Sequence, residues 1–144
     1  MNPDLSQVKI IHLPHHFEEN GDLIVMEQHN NVPFEIQRVF VVRAPKGSIR
    51  GQHSHIKCTQ LLTCPNGIID VQCDDGKNKS YFILNHPNIA LLIPPGIWAQ
   101  QTYKVENSIL TVLCDRIYET EDYIRDYNEF INKKSYLVLK YYLV

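Results

Sequence analysis

Short runs of β-branched, aromatic and aliphatic residues recur at intervals of about ten positions, each ended by Pro, Gly, Asn or Asp. This punctuation limits the chain more than any other feature. Candidate strands fall at residues 8–13, 21–27, 36–42, 51–55, 59–64, 67–73, 79–84, 90–93, 99–104 and 108–114. Many alternate apolar with polar, as strands buried on one face do. Gln60 to Cys64, then Pro65-Asn66-Gly67, then Ile68 to Cys73 reads as a hairpin with Asn-Gly at its turn. Asp74-Asp75-Gly76 is a second turn signal. Evenly spaced strands with such turns imply an antiparallel sandwich or barrel.

Only the C-terminal part carries a helical pattern. Thr120 suits a helix N-cap, with Glu121 and Asp122 in the first turn. Ile124, Tyr127, Phe130 and Ile131 form one apolar stripe, so one helix is expected over about 120–134, with Lys133 and Lys134 at its end. The apolar tail from Tyr136 to Val144 would aggregate if exposed and is expected to pack on the barrel or on a second subunit. Residues 1–144 read as a single domain.

Net charge is −2 with mixed signs along the chain, which argues against a nucleic-acid polymer and against a membrane surface as partner. No apolar run has the roughly 20 residues of a membrane helix, and no signal peptide is visible. The expected location is the cytoplasm. Cys58, Cys64, Cys73 and Cys114 are widely spaced without a C-x-x-C pair and are expected to be buried, reduced thiols. His12, His15, His16, His29 and His86 lie in polar, turn-like contexts and are expected to be solvated.

One spacing carries chemistry. Five residues separate Gly47 from His53, and His53-Ser54-His55 follows; four residues separate His55 from Gln60, and six separate Gln60 from Gly67. This resembles the first cupin motif, G-x5-H-x-H-x3,4-E-x6-G, with Gln60 in place of the acid. Two histidines two apart on a strand point to one face, here into the barrel. Pro94-Pro95-Gly96-Ile97-Trp98 resembles the second motif, but Ala99 stands where its histidine would be. A neutral amide and two imidazoles are a poor donor set for a divalent ion, so no metal and no cofactor is expected. Neutral-range imidazoles suit proton transfer, and Arg50, three residues ahead, suits a phosphate or an enolate oxygen.

At this point the chain resembles the sugar 3,4-ketoisomerases acting on dTDP-4-keto-6-deoxyglucose, over residues 20–132. Arg50-Gly-Gln-His-Ser-His55 is similar to the family's R-G-x-H-A-H. Glu119-Thr-Glu-Asp-Tyr-Ile-Arg-Asp-Tyr-Asn-Glu-Phe130 is similar to its closing D-E-T-D-Y-I-R-x-Y-x-x-F. The resemblance implies a mainly β, cupin-like antiparallel jelly-roll barrel with one C-terminal helix, and a homodimer with exchanged N-terminal strands. It implies a dTDP-linked 4-keto-6-deoxyhexose as substrate. By position, His53 and His55 become the acid/base pair, with Arg50, Gln60, Trp98, Tyr103 and Arg38 as substrate-binding candidates. The family's W-H-E is Trp98-Ala99-Gln100 here, and its tyrosine pair is Phe40-Val41. A 4-keto-sugar epimerase and a non-catalytic nucleotide-sugar-binding cupin are the alternative readings.

Overall fold

The computed structural model describes residues 3–142, excepting the side chains at positions 137, 138 and 141. In chain order the strands are β1 (Lys9–His12), β2 (His15–Glu18), β3 (Gly21–Ile24), β4 (Arg38–Arg43), β5 (Ile49–His55), β6 (Gln60–Asn66), β7 (Ile69–Asp74), β8 (Lys79–Leu84), β9 (Ile89–Ile93), β10 (Trp98–Tyr103), β11 (Ile109–Cys114) and β12 (Tyr123–Ile124). Among the described residues there is one α-helix, α1 (Tyr127–Tyr142), C-terminal to the strands.

Two five-stranded antiparallel sheets form, in the order β1-β9-β6-β11-β4 and β12-β5-β10-β7-β8. The β2-β3 hairpin stands apart. The sheets are separate ladders, so the jelly roll is an open sandwich and not a closed barrel. Alternation along the strands sets the layers. Leu62 and Cys64 of β6, Leu91 and Ile93 of β9, and Leu110 and Val112 of β11 meet Val71, Cys73, Ala99 and Tyr103 of the other sheet in one core. The opposite positions of the first sheet, Leu61, Ala90 and Leu113, bury against Leu13, Val32 and Phe34 of the N-terminal arm. Each of the buried Val, Leu, Ile and Phe side chains contributes about 1.5–3 kcal/mol through its removal from water. Trp98, Ile124 and Phe130 make a third cluster under α1. Among the described residues no helix is long and apolar enough to cross a membrane.

Three expectations are corrected. Asn66-Gly67 does not turn a hairpin: β6 pairs with β9 and β11, while β7 pairs with β8 and β10, so the chain crosses from one sheet to the other there. The crossing needs the same left-handed backbone as a tight turn, and Gly67 has φ +90°, with Ser108 so close that a Cβ would sit 2.6 Å from its Cα. The helix does not begin at Thr120. Residues 120–122 make a single 3-10 turn, residues 123–124 pair with β5, and the helix runs from Tyr127 to Tyr142. Lys134 is therefore mid-helix and buried, donating to the Pro3 carbonyl at 3.0 Å. Finally, His12, His15 and His16 are strand residues; the half-buried His15 ring pairs with Asp22, while His12 and His16 are exposed as expected. Of the tail, Tyr136, Leu139 and Tyr142 are exposed on the helix; the rest of that expectation falls on side chains or residues outside the described set.

Candidate active site

A bulge on β5 aims the site. Ala99 pairs with His53 and Gln100 with Gly51, so Gln52 is an extra residue on β5. Gly51 and Gln52 have φ of +83° and +58°. A side chain at Gly51 would meet Gln101 Oε1 at 2.6 Å and the Ala99 carbonyl at 3.1 Å. The bulge resets the in-out alternation. Arg50 pairs with Gln101 and His53 with Ala99, and Ala99 and Gln101 are two apart on β10, so Arg50 and His53 share the inner face. Without the extra residue Arg50 would face outward.

His53 and His55 meet edge to face, ring centres 5.1 Å apart. Tyr123, paired with His55 across β12, lies 5.2 Å from the His53 ring and 4.4 Å from the His55 ring. His55 Nδ1 is 3.0 Å from Asp122 Oδ2, both side chains buried. Asp122 is fixed in turn: its Oδ1 accepts from the Lys57 amide at 2.7 Å and its Oδ2 from the Cys58 amide at 3.3 Å. A carboxylate on Nδ1 assigns the proton to that nitrogen and leaves Nε2 with a free lone pair. His55 Nε2 and His53 Nδ1 are buried without a partner among the described residues.

Burial pushes the His53 imidazole down to about 4, and the neighbouring His55 acts in the same direction. Burial also lowers His55, against the opposing pull of Asp122. Both rings are therefore neutral near pH 7, able to accept a proton.

The other sequence-derived candidates divide. Arg38 is half-buried with Nη2 3.4 Å from Cys114 Sγ, its guanidinium 5.5 Å from the Phe40 ring and 5.4 Å from the Tyr118 ring. Gln60 is buried, with Nε2 3.6 Å from the same sulfur. These two join the histidine end of the interior. Arg50 is exposed at the rim of the inner face. Tyr103 lies four residues along β10 from Ala99, roughly 13 Å at the usual strand rise. It is fully buried in the apolar core, where burial raises its phenol to about 12, and its hydroxyl has no partner among the described residues. Trp98 is on the opposite face, packed at 5.2 Å on Tyr127 and 5.6 Å on Phe130. Arg125 precedes the helix and covers the Tyr123 ring at 4.5 Å. The sequence pattern gave Asp122 and Tyr123 no place beside the histidines. The Asp-Tyr-Ile-Arg stretch was the available signal for both.

His55, Cys58 and Asp122 place possible metal ligands within 4.8 Å of one another. Asp122 already accepts three hydrogen bonds, and the positive charges of Arg38 and Arg125 bear on His55. That donor set fits a hydrogen-bonded His-Asp pair better than a divalent cation.

Two face-to-face antiparallel sheets with a histidine pair on one strand of the inner face define a cupin-like fold. Residues 6–135 match the family described as FdtA: WxcM-like, C-terminal, and the chain belongs to that family. It is 33% identical over 123 residues, covering 85% of this chain and 88% of the relative, to the TDP-4-oxo-6-deoxy-alpha-D-glucose-3,4-oxoisomerase of Aneurinibacillus thermoaerophilus. The solved sugar 3,4-ketoisomerase QdtA of Thermoanaerobacterium thermosaccharolyticum, in complex with TDP, superposes with a TM-score of 0.88 at 31% identity, over 92% of this chain and 97% of that one. The TDP-fucose-3,4-ketoisomerase WlaRA of Campylobacter jejuni does so at 0.84 and 32%, over 92% and 98%.

Proposed function

We propose that this protein is a metal-free 3,4-ketoisomerase of a dTDP-linked 4-keto-6-deoxyhexose. The observation that carries the reading is the neutral pair of half-buried His53 and buried His55, with Asp122 on the far nitrogen of His55. His55 Nε2 removes the proton on carbon 3. The electron pair moves toward the carbon-4 carbonyl, whose oxygen takes a proton, and an enediol forms. The carbon-3 hydroxyl then gives up its proton as that oxygen becomes the ketone, and carbon 4 receives one. His53 positions a hydroxyl or relays its proton. Arg38 and Arg50 are the cations placed for a developing enolate oxygen or the diphosphate. The 3-keto product suits a following 3-aminotransferase, yielding a 3-amino-3,6-dideoxy sugar for a surface polysaccharide.

We also assign the working unit as a homodimer with exchanged N-terminal strands. Phe17 and Leu23 of the hairpin, and Val39 and Val41 on the outer side of β4, are exposed apolar residues that a partner would cover. Light scattering giving a monomer mass at working concentration overturns this.

The isomerase test is incubation with dTDP-4-keto-6-deoxyglucose in D2O, followed by NMR. Deuterium at carbon 3 and a 3-keto species are expected. Exchange at carbon 5 alone would mean an epimerase. No exchange, with dTDP bound equally by the parent and by His55→Asn, would leave a binding protein.

A further inference from the structure

Arg38 is a cation without an anion. Among the described residues no carboxylate lies within ion-pair reach of it. The side chain is nonetheless half-buried, and its Nε–H is buried without an acceptor. An uncompensated charge in an interior is costly, and such groups cluster where an anion arrives. Arg50 differs, because it is exposed at the rim, where water solvates it.

What holds Arg38 is neutral. Its Nη2 donates to Cys114 Sγ at 3.4 Å, and its guanidinium lies 5.5 Å from the Phe40 ring centre and 5.4 Å from that of Tyr118. Arg38 pairs with Cys114 across β4 and β11, and Cys114 pairs on its other side with Gln60 of β6. Directly opposed residues share a face, so the three side chains stand in one row. Gln60 Nε2 donates to the same sulfur at 3.6 Å. A glutamate at position 60 would neutralise the guanidinium, whereas the amide leaves the charge in force. The row meets the histidines through two rings. Tyr118 lies 5.5 Å from Tyr123, and Tyr123 lies 4.4 Å from His55. The other cation on these rings, Arg125, stacks on Tyr123 at 4.5 Å but lines a cleft with Gln72 and Trp98 on the outer face of the layer.

We propose that Cys114 is a positioning residue: with neutral Gln60 beside it, its sulfur fixes the Arg38 guanidinium so that the charge serves the oxygen anion forming on the sugar, while the diphosphate falls to Arg50. This assignment rests on the isomerase reading, which leaves the roles of the two arginines undivided. Its physical reason is the order in which charge appears. Both imidazoles are neutral before the reaction, so no imidazolium faces the carbonyl when the carbon-3 proton begins to move. A guanidinium already in place supplies positive charge at that moment, without reorganisation. Cys114 and the two rings hold it by contacts that do not cancel its charge, as a carboxylate would.

The test combines side-chain NMR with turnover. In protein carrying isotope-labelled arginine, with the Arg38 and Arg50 Nε–H signals assigned from Arg38→Lys and Arg50→Lys, titration with dTDP should move Arg50 and leave Arg38 in place. Cys114→Val removes the acceptor at similar bulk. It should displace or broaden the Arg38 signal and lower kcat about tenfold, with dTDP affinity within about twofold of the parent. Cys114→Ser restores an acceptor and should recover most of that loss. Gln60→Glu should lower kcat about 30-fold and Arg38→Gln about 10²-fold, again with dTDP affinity kept. Should Cys114→Val fail to fold, Gln60→Glu and the parent titration carry the test. An Arg38 signal that saturates with dTDP alone, dTDP affinity lost in step with kcat, or an unaltered kcat in Cys114→Val or Gln60→Glu overturns the proposal. A parent protein that exchanges no deuterium into the sugar fails the isomerase reading instead, while the arginine signals still report which cation meets the diphosphate, so the two failures are distinguishable.

Discussion

The two faces of the β5-β10-β7 layer bury polar and aromatic groups in opposite ways. On the outer face, Asp74 accepts the Gly76 amide at 2.7 Å and the Tyr127 hydroxyl at 2.7 Å, and Trp98 is sealed against α1. Only the Ser54 hydroxyl lacks a partner there among the described residues. On the inner face, His53 Nδ1, His55 Nε2 and Tyr103 Oη, with Arg38 Nε opposite, are buried and unpaired among the described residues. A buried polar atom without a partner costs about 1–3 kcal/mol. The outer face is thus built from completed interactions, which hold the layer together. The inner face keeps incomplete ones, which a substrate can complete.

That contrast breaks first if an inner-face change costs stability and not rate. His55→Asn should lower kcat by about 10³-fold or more, within the range of a lost general base, with an unchanged melting temperature. The reverse holds outside. Phe130→Ala, under Trp98 and Tyr127, should cost about 3–5 kcal/mol in urea unfolding, with kcat of the folded fraction kept.

Acid should act through the inner face. His53 titrates near 6.5 unfolded and about 4 folded, so the unfolded chain binds the proton more tightly. Stability is complete above pH 6.5 and declines as the pH falls toward 4, by roughly 3 kcal/mol at most. Urea melts at pH 7.5 and 4.5 measure it, and His53→Gln should flatten the slope. By the same shift, the acidic limb of kcat/KM should lie well below pH 6.5.

Asp122→Asn should reduce kcat by about 30-fold, because the amide favours the wrong His55 tautomer. An unaltered pH profile in that variant would make Asp122 merely structural. The smallest effect belongs outside again: Tyr127→Phe removes one hydrogen bond to Asp74 and should cost about 1 kcal/mol with no change in rate.

Most strand positions were legible because alternation is a local property, and β8 lies where the pattern predicts it, but the short β2 and β12 were not foreseen. The helix start was not. Ile124 fits the helical stripe and is buried beside Trp98 and Phe130, but it gets there from a strand paired with Ser54. The stripe recorded which residues share a surface and not the backbone that brings them there. Asn66-Gly67 misled for a related reason, since a left-handed glycine serves a sheet-to-sheet crossing as well as a hairpin. In the site, His53, His55 and the inward Arg38 could be read from spacing and resemblance. Asp122 lies 67 residues from His55, and Arg38 lies 76 residues from the Cys114 sulfur it touches; neither separation leaves a local pattern. Trp98 carried a substrate-binding expectation from its motif, but the side chain stands on the face that α1 covers.

The crossing at Gly67 also has a kinetic consequence. Because β6 leaves β7 for β9 and β11, the adjacent-strand pairs are β2-β3 and β7-β8. The strand that carries the histidines waits for β10 and β12, whose sequences lie tens of residues downstream. Loop closure must therefore precede the contacts that reward it, which slows folding. A growing chain cannot pair the histidine strand on both sides until residue 124 has been made, and its exposed strand edges are open to misassociation until then.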